Sequence, residues 1–487
     1  MSDPLSEVRS DVRRELFIGG QWTPARSGET FDTVDPSTEE IIASVARGGP
    51  EDVDDAVGAA REAFEGRQWR RTTPEERARL LYRVARELEE RLDEFARLET
   101  LDTGKPLAFA RGEILGCVKY FDYYAGAADK IQGETIPLGP DYLNYTVREP
   151  MGVTAHIVPW NAPLAMVCRS LAPALAAGNT AVIKPAEQTP LTALGLTEIL
   201  RNAGLPDGVY NIVAGFGAEA GKALSEHSGI DSMTFTGSVE TGKAVLRVAA
   251  DHVRPVVAEL GGKSPQIVFA DSDLDLVASE VTKGIYSNSG QYCDAGSRLL
   301  VEDSVREPLL ERLVERARGI QLGPGMESPD MGPLVSAEHY ERVTGYIESG
   351  RAEGAEMITG GKAEGFEKGY FVAPTIFDGV NQNFRIAREE IFGPVLSVLP
   401  FADEEEAAGI ADATDYGLAA GIFTRDIDRA LRFARDIRAG YVQVNEYFTG
   451  GMGSPFGGYK QSGIGREKGL AALENYTQIK NVVVRVR

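Results

Sequence analysis

The segment Val153-Thr-Ala-His-Ile-Val158 is a short apolar run that ends at Pro159-Trp160-Asn161. From here the chain alternates short apolar runs with segments of helical periodicity. The runs predict strands at 153–158, 180–184, 209–214, 232–236 and 255–260. The segments between them predict helices at 163–177, 190–202, 217–226 and 239–250. Strands alternating with helices build a parallel sheet covered on its faces, so we predict an α/β fold with Rossmann-like winding.

The flanking sequence predicts further elements. Before the alternation we expect a short strand at 17–22 with a Gly-Gly turn and another at 40–46. Amphipathic helices are predicted at 50–64, 73–100 and 106–128, and an alternating segment at 131–149 predicts a protruding β-hairpin. A second α/β run extends from 265 to about 470, and the tail at 476–487 predicts a lone apolar strand that needs a partner edge.

Composition limits the class of protein. The chain has 487 residues, of which 43% are hydrophobic, enough for more than one domain. Its formal net charge of -22 argues against nucleic acid or an anionic membrane as a partner. Arg outnumbers Lys, and this balance together with the acidic surplus favours a protein from a high-salt cytoplasm over an ordinary acidic protein.

The termini and cysteines bear on location. Residues 1–15 are polar with no apolar core, so no secretory signal is expected, and the most apolar stretch, 162–178, holds Arg169 and two prolines. That stretch predicts a core helix rather than a membrane span. Only 3 Cys are present, which indicates a reducing compartment, and we predict a cytoplasmic protein.

One cysteine stands apart from the other two. Gly290-Gln-Tyr-Cys293-Asp-Ala-Gly-Ser-Arg298 places a thiol between glycines on a loop, whereas Cys117 and Cys168 lie in apolar helical patterns. A reachable thiol on such a loop is a candidate nucleophile, although a lone cysteine is more often a small buried hydrophobe. Upstream, Glu259-Leu-Gly-Gly-Lys263 places a carboxylate at the end of a buried strand, where low polarity raises its pKa toward that of a base.

These two segments together resemble the paired signatures of the NAD(P)-dependent aldehyde dehydrogenase superfamily, and further motifs agree along nearly the whole chain. The resemblance implies that Cys293 attacks an aldehyde, that Asn161 stabilises the oxyanion, and that Glu259 activates the water that cleaves a thioester. It implies NAD as cofactor. The residues that would hold it are Trp160, Lys184, Glu187, Gly237, Ser238, Glu390 and Phe392. A carboxylate at Glu187 would repel a 2′-phosphate and so favours NAD over NADP. No metal is expected.

The same resemblance predicts the substrate channel. We expect its wall to include Met166, Arg169, Gly450 and Phe456. Arg169-Ser170 stands where many members have Trp-Lys, which puts in doubt a proton relay between that Lys and Glu467. Arg169 then has two interpretations: it binds a distal carboxylate or hydroxyl of the substrate, or it pairs with an internal Glu.

The resemblance also implies a domain organisation and an assembly. We predict an NAD-binding domain at 1–130 and 151–259, a catalytic domain at 260–470, and a small β bridging domain at 131–150 and 471–487. A homodimer or homotetramer is expected through the bridging segments. The sequence leaves two alternatives open: a CoA-acylating semialdehyde dehydrogenase, against which Glu259 argues, and a non-catalytic binding or structural protein on the same fold.

Overall fold

The structure is a computed structural model that describes residues 13–486, and its elements are numbered here in chain order within that range. The strands are β1 (Leu16–Ile18), β2 (Gln21–Thr23), β3 (Thr30–Val34), β4 (Ile41–Ala46), β5 (Tyr142–Pro150), β6 (Val153–Ile157), β7 (Thr180–Lys184), β8 (Tyr210–Ile212), β9 (Ser232–Thr236), β10 (Val256–Glu259), β11 (Pro265–Val268), β12 (Arg298–Glu302), β13 (Glu356–Lys362), β14 (Val372–Asp378), β15 (Val395–Phe401), β16 (Ala419–Phe423), β17 (Tyr441–Val444), β18 (Gly463–Ile464) and β19 (Thr477–Arg485).

The helices connect and cover these strands. They are α1 (Pro50–Glu65), α2 (Arg67–Arg70), α3 (Pro74–Glu90), α4 (Leu92–Thr103), α5 (Leu107–Ala127), α6 (Pro163–Ala177), α7 (Leu191–Asn202), α8 (Lys222–Glu226), α9 (Val239–Asp251), α10 (Leu274–Tyr286), α11 (Asp303–Gly319), α12 (Ala337–Ala352), α13 (Arg385–Arg388), α14 (Glu404–Asp412), α15 (Ile427–Asp436) and α16 (Ala471–Asn475). Short 3-10 turns lie at Ala128–Lys130, Ser287–Gly290, Gly325–Glu327 and Lys460–Ser462.

The first sheet has eight strands in the order β18-β10-β9-β6-β7-β8-β1-β2. Its five central strands are parallel, and the chain runs outward from β6 through β7 to β8, then returns to β9 and β10 on the other side of β6. The strand order therefore reverses between β6 and β9. Ligands of such sheets bind in the crevice beyond the carboxyl ends of the strands at this point.

The central strands form because their side chains are buried on both faces. Every residue of β7 is buried, and helices pack on the sheet and on one another around one apolar core. Helix α6 begins with Pro163 at its first position and ends at Gly178 in the left-handed conformation, φ 92°. The predicted strands and helices of this region are confirmed, most within two residues of their predicted ends.

The second sheet has seven strands in the order β13-β14-β15-β12-β11-β16-β17. All are parallel except β13, which pairs antiparallel with β14 at the edge. Two apolar clusters contribute to this part of the core. The predicted α/β class with two sheets and small additional β sheets is confirmed.

Two predicted helices differ in detail. The helix expected at 73–100 is two helices, because Arg91 leaves helical geometry at φ −97° and ψ 18° between α3 and α4. This turn lets α4 bury its own face, including Phe95 and Leu101, against α5 and α7. The helix expected at 217–226 begins as a wider π turn at Gly217–Gly221 before α8.

The predicted hairpin at 131–149 is only partly correct. Its second half is β5, but its first half forms an isolated bridge from Thr135 to Tyr145 rather than a strand. The tail strand β19, for which the sequence predicts a need for a partner edge, has that edge within its own chain. This strand pairs antiparallel with β5 along nine residues, from Thr477 opposite Pro150 to Arg485 opposite Tyr142.

The predicted domain boundaries remain predictions. Strand β18, at 463–464, pairs with β10 at the edge of the first sheet, although it lies inside the segment 260–470 that is predicted as the catalytic domain. Within residues 13–486, no helix has the length and apolar character needed to cross a bilayer.

Candidate active site

A cavity of about 880 Å³ lies at the carboxyl ends of β6, β9 and β10. Cys293, Glu259 and Asn161 all line it. They come from separate segments: Asn161 follows β6, Glu259 ends β10, and Cys293 lies in the loop before β12. The sheet therefore collects at one place three side chains that the sequence holds far apart.

The loop before Cys293 has an unusual backbone. Asn288, Ser289 and Gly290 are consecutive left-handed residues with φ 50°, 58° and 73°. Two of them are not glycine, so the surrounding structure must hold them in this costly conformation. Gln291 contributes to that support, because its amide donates to the Asn288 carbonyl at 3.0 Å and its side-chain oxygen accepts from the Val335 N–H at 3.0 Å.

Cys293 is half-buried and unpaired, and it packs against the segment that carries Glu259. A Cβ on Gly262 would lie 2.3 Å from the Cys293 carbonyl oxygen, so this close approach requires glycine. Burial, followed by the carboxylate of Asp294, raises the pKa of the Cys293 thiol well above its ordinary range, and Arg169 opposes the shift. The thiol therefore needs a base to take its proton.

Glu259 is a buried carboxyl group with no protein partner. It is 1% exposed, and neither of its side-chain oxygens has a hydrogen-bond partner among the described residues. Burial, followed by the nearby carboxylate of Glu467, raises its pKa well above the ordinary carboxyl range. A carboxyl of this kind facing a cavity is suited to take a proton from water or from a thiol.

Hydrogen bonds hold both the side-chain amide and the main-chain carbonyl of Asn161. Its side-chain Nδ2 donates to the Gln291 carbonyl at 2.9 Å, which places the amide two residues from Cys293. Its main-chain carbonyl accepts from Lys105 Nζ and from Asn288 Nδ2, each at 3.0 Å. An amide held this way keeps a second N–H for an oxygen that develops charge beside Cys293.

Arg169 lines the cavity and is paired with a carboxylate. Its Nη2 forms a buried ion pair with Glu467 Oε2, and its guanidinium lies 5.4 Å from the centre of the Phe456 ring. Of the two interpretations given above, the structure contains the internal pair. The reason is physical: a cationic residue that is only 5% exposed needs a compensating anion.

Several predicted cofactor residues lie at the crevice. Gly237 and Ser238 line the cavity where α9 begins, and the Ser238 side chain accepts from the Thr241 N–H. The N–H groups of such a helix start are suited to a pyrophosphate. Glu390 Oε1 accepts from the Gly262 N–H at 3.0 Å, and burial raises its pKa to about 7.

Trp160 and Phe392 also line the cavity, in mutual edge contact with ring centres 5.2 Å apart. Phe392 is left-handed, φ 64°, and its carbonyl contacts His339 Nε2 at 2.7 Å. Lys184 and Glu187 form an ion pair at 2.9 Å at the end of β7 but do not line the cavity.

Comparison with known proteins shows the family to which this fold belongs. Residues 22–482 match the model of the aldehyde dehydrogenase family. Aldehyde dehydrogenase 1 of Tanacetum cinerariifolium is 48% identical over 475 residues, which is 97% of this chain and 95% of that protein. The chain belongs to the aldehyde dehydrogenase family.

Further relatives of this aldehyde dehydrogenase support the same family assignment. The mitochondrial aldehyde dehydrogenase of Rattus norvegicus is 46% identical over 477 residues, covering 97% of this chain and 92% of its own length. A solved NAD+ complex of an aldehyde dehydrogenase from Bacillus cereus superposes with a TM-score of 0.98 at 46% identity, covering 100% of this chain and 99% of the other. These relatives give no support to the high-salt origin suggested by the charge balance, which stays a prediction.

In this aldehyde dehydrogenase, all but three of the predicted site residues line the cavity; the exceptions are Lys184, Glu187 and Gly450. Gly450 is a left-handed glycine, φ 94°, where a Cβ would strike the Tyr441 hydroxyl, and its neighbour Phe448 lines the cavity instead. Among residues 13–486, no cluster of three or more His, Cys, Asp and Glu is placed to hold a metal.

Sequence reasoning missed several residues that line the cavity. Tyr292 and Asp294 flank Cys293, and Lys468 follows Glu467, so adjacency to a predicted residue could have found all three. Phe109 and His339 come from helices α5 and α12 and gave no signal in the sequence.

Proposed function

We propose that this NAD-dependent aldehyde dehydrogenase oxidises an aldehyde to a carboxylic acid through a covalent thioester on Cys293. One observation carries the proposal: Cys293, Glu259 and Asn161 line a single cavity that Gly237, Ser238 and Glu390 also line. A nucleophile, a carboxyl base and an amide donor are the groups that acyl chemistry of this kind requires.

The proposed reaction begins when the Cys293 thiol loses its proton to solvent and its sulfur bonds to the aldehyde carbon. The carbonyl oxygen becomes an oxyanion, which Asn161 Nδ2 and the Cys293 N–H stabilise. Loss of hydride from that carbon leaves a thioester. Glu259 then takes a proton from water, and the hydroxide adds to the thioester carbon. The C–S bond breaks, and the proton on Glu259 passes to the departing sulfur, which releases the acid and restores the thiol.

Exchange of the thiol for a hydroxyl tests the nucleophile. We expect Cys293→Ser to abolish aldehyde oxidation while NAD still binds, because the weaker nucleophile cannot form the thioester. Cys117→Ser removes a thiol outside the cavity and serves as the control. Turnover retained by Cys293→Ser would overturn the assignment.

The position of Glu259 favours hydrolysis over transfer to CoA. A carboxyl base lining the cavity supplies hydroxide from water, whereas a CoA-acylating enzyme releases its acyl group to a thiol. In the presence of CoA, we expect free acid as the product. Formation of acyl-CoA would support the alternative branch.

The residues present fit a bound nicotinamide dinucleotide, whose chemical contribution is to accept the hydride. A Cβ on Gly261 would lie 2.1 Å from Glu390 Oε2, so the Gly261 backbone and the Glu390 carboxyl lie close together at the crevice. Gly237 and Ser238 would receive the pyrophosphate, Lys184 and Glu187 the adenosine ribose, and Glu390 the nicotinamide ribose, with Trp160 and Phe392 beside it.

Glu187 supports a preference for NAD over NADP, because a carboxylate there would repel a 2′-phosphate. Initial rates with both cofactors test this. We expect NAD to give a higher kcat/KM than NADP. In Glu187→Gln, the difference in kcat/KM between the two cofactors should be smaller. Equal or better efficiency of the wild-type protein with NADP would refute the preference.

We also propose that the substrate carries a distal hydroxyl or carboxylate. Arg169 and Lys468 line the cavity. Because Glu467 neutralises Arg169, a hydroxyl, which both donates and accepts, suits the pair better than a second carboxylate would. Removing one hydrogen bond to a charged group typically costs about 1.5–3 kcal/mol, roughly a tenfold to hundredfold change in affinity.

Aldehydes of one chain length that end in methyl, hydroxyl or carboxylate test the substrate class. We expect kcat/KM to be highest for the hydroxyl and lowest for the methyl compound. The double variant Arg169→Leu/Glu467→Leu should lose the preference without leaving a lone buried charge. A wild-type preference for the methyl compound would refute the proposal.

The three free cysteines support a reducing compartment, and we propose a cytoplasmic location. Fractionation of cells that produce the full chain would test it. Recovery of the protein from an organelle or from the medium would refute it.

A further inference from the structure

A buried lysine lies behind the site. Lys105, at the turn between α4 and α5, has a fully buried side chain. Its ammonium contacts three acceptors: Glu99 Oε1 at 3.2 Å, the Asn161 carbonyl at 3.0 Å, and Glu113 Oε2. It is thus bonded directly to the main chain of the residue proposed to bind the oxyanion.

Glu113 extends this contact toward the nucleophile. One of its carboxylate oxygens pairs with Lys105, and the other, Oε1, accepts from the Tyr292 hydroxyl at 2.9 Å. Tyr292 immediately precedes Cys293. A single carboxylate on α5 therefore joins the cation that holds Asn161 to the loop that carries Cys293.

The network is fixed on its far side as well. Glu99 Oε2 accepts from the Thr192 hydroxyl at 2.9 Å, which anchors the lysine to α7. The Tyr292 ring is set between Phe109 and Phe448, with ring centres 6.2 Å and 5.7 Å away. Bonds between charged groups in a buried setting are strong and directional, so the geometry they impose is well defined.

We propose that Glu113 is a positioning residue for aldehyde oxidation, which fixes the Asn161 segment relative to the Cys293 loop through Lys105 and Tyr292. The inference rests on the roles proposed above for Asn161 and Cys293. The two donors of the oxyanion site come from different segments, Nδ2 from Asn161 and N–H from Cys293. Their separation decides whether both reach the same oxygen, and a misplacement of about 1 Å lowers rates by as much as ~100-fold.

Two conservative variants test the bridge. Glu113→Gln keeps the shape but removes the charge, and Glu99 still neutralises Lys105, so the fold should survive. Tyr292→Phe keeps the ring and removes only the hydroxyl. The quantity to measure is the rate constant of the first NADH burst, which does not depend on the fraction of the protein that is active.

We expect the burst rate constant to fall by ~10-fold or more in Glu113→Gln and by several-fold in Tyr292→Phe, with KM for NAD unchanged. Because both variants weaken the same bridge, the double variant should be little slower than Glu113→Gln alone. A burst rate constant equal to that of the wild type in both variants, or fully independent effects in the double variant, would overturn the inference.

A matched control separates positioning from stability. Asp378 pairs with Arg306 and its side chain is 11% exposed, close to the 12% of Glu113, but it bonds to Arg306 rather than to the Lys105 and Tyr292 bridge. Asp378→Asn should lower the melting temperature about as much as Glu113→Gln while leaving the burst rate constant unchanged. Activity in Cys293→Ser would refute the proposed mechanism, whereas an inactive Cys293→Ser beside unaffected Glu113 and Tyr292 variants would refute only this inference.

Discussion

Glu259 combines burial with the absence of a protein partner among the described residues, and this predicts a specific kinetic defect. In Glu259→Gln, the first hydride transfer should still occur, giving a burst of about one NADH per active site, after which turnover stalls because the thioester persists. Stopped-flow absorbance measures both phases. A variant with neither burst nor steady rate would contradict a role after hydride transfer.

The raised pKa values of Glu259 and Cys293 predict the pH dependence of the wild-type protein. Burial favours the protonated form of each, whereas the reaction uses the deprotonated form. The rate should therefore increase as pH rises from neutral into the alkaline range, until the fold is lost. Steady-state rates across pH, with circular dichroism as the control for folding, test this. A rate that falls over the same range in folded protein would contradict it.

At the scale of single residues, the sequence predicted which side chains would meet but not all of their bonds. Cys293, Glu259 and Asn161 could be found because each follows a strand or lies among glycines in a motif. The partner of Arg169 could not be decided, because Glu467 is distant in sequence and only the folded chain brings the two together. In the Lys105 network, the two carboxylates lie within eight residues of the lysine, but its contacts with Asn161 and Tyr292 span segments far apart in sequence and could not be predicted.

Among the elements, the left-handed run before Cys293 has the clearest consequence. A Cβ on Gly290 would lie 2.2 Å from the Gly393 carbonyl oxygen, and its φ of 73° disfavours any other residue. We expect Gly290→Ala to destabilise the fold by more than ~1 kcal/mol and to lower kcat severely, because the loop that carries the nucleophile must shift.

Gly345 offers the matched control for this substitution. It lies within α12, and a Cβ added there would meet open space, so Gly345→Ala should stabilise the protein by about 0.5–1 kcal/mol. Chemical denaturation and steady-state kinetics on both variants test the pair. Equal effects at the two glycines would show that the Cys293 loop is not constrained as described.

Element by element, the periodicity of the sequence located the central strands and helices well, because burial on both faces leaves a strong apolar signal. Periodicity did not predict the features that depend on contacts between segments far apart in sequence. The antiparallel pairing of β19 with β5 joins segments more than 300 residues apart, and neither segment shows in its own composition which edge it meets. The break at Arg91 likewise depends on helices that α4 packs against.

For the whole molecule, the surface of β19 predicts assembly. Ile479 and Val483 are 62% and 52% exposed and lie on one face of this outer strand. We propose that copies of the chain associate through β19, because an exposed apolar strand edge can pair with a second chain. Ile479→Lys/Val483→Lys should then elute from a sizing column as a smaller species than the wild type.

Two other exposed apolar residues provide the control for this experiment. Ile427 and Leu431 on α15 are 65% and 60% exposed, and their replacement by Lys should leave the elution volume unchanged. A wild-type protein that already elutes as a monomer would refute the proposed assembly.

The net charge of -22 predicts a response to salt. Raising KCl from ~0.1 M to ~1 M shortens the screening length from about 10 Å to about 3 Å, which weakens repulsion among surface carboxylates. The melting temperature should rise, and more than it does in sucrose of equal osmolality, which screens no charge. A melting temperature that is flat or falling with KCl would refute the prediction of salt adaptation.

The pairing of Arg169 with Glu467 also bears on how this chain changes by mutation. Losing either partner alone leaves a buried charge at a typical cost of about 3–5 kcal/mol, whereas replacing both by apolar residues is often neutral. A lineage that replaces these two residues one at a time must therefore pass through a destabilised intermediate that has lost one partner of the pair. In a randomised library under selection for folding, apolar residues should be recovered at the two positions together and only rarely at one, so the two sites evolve as a single unit.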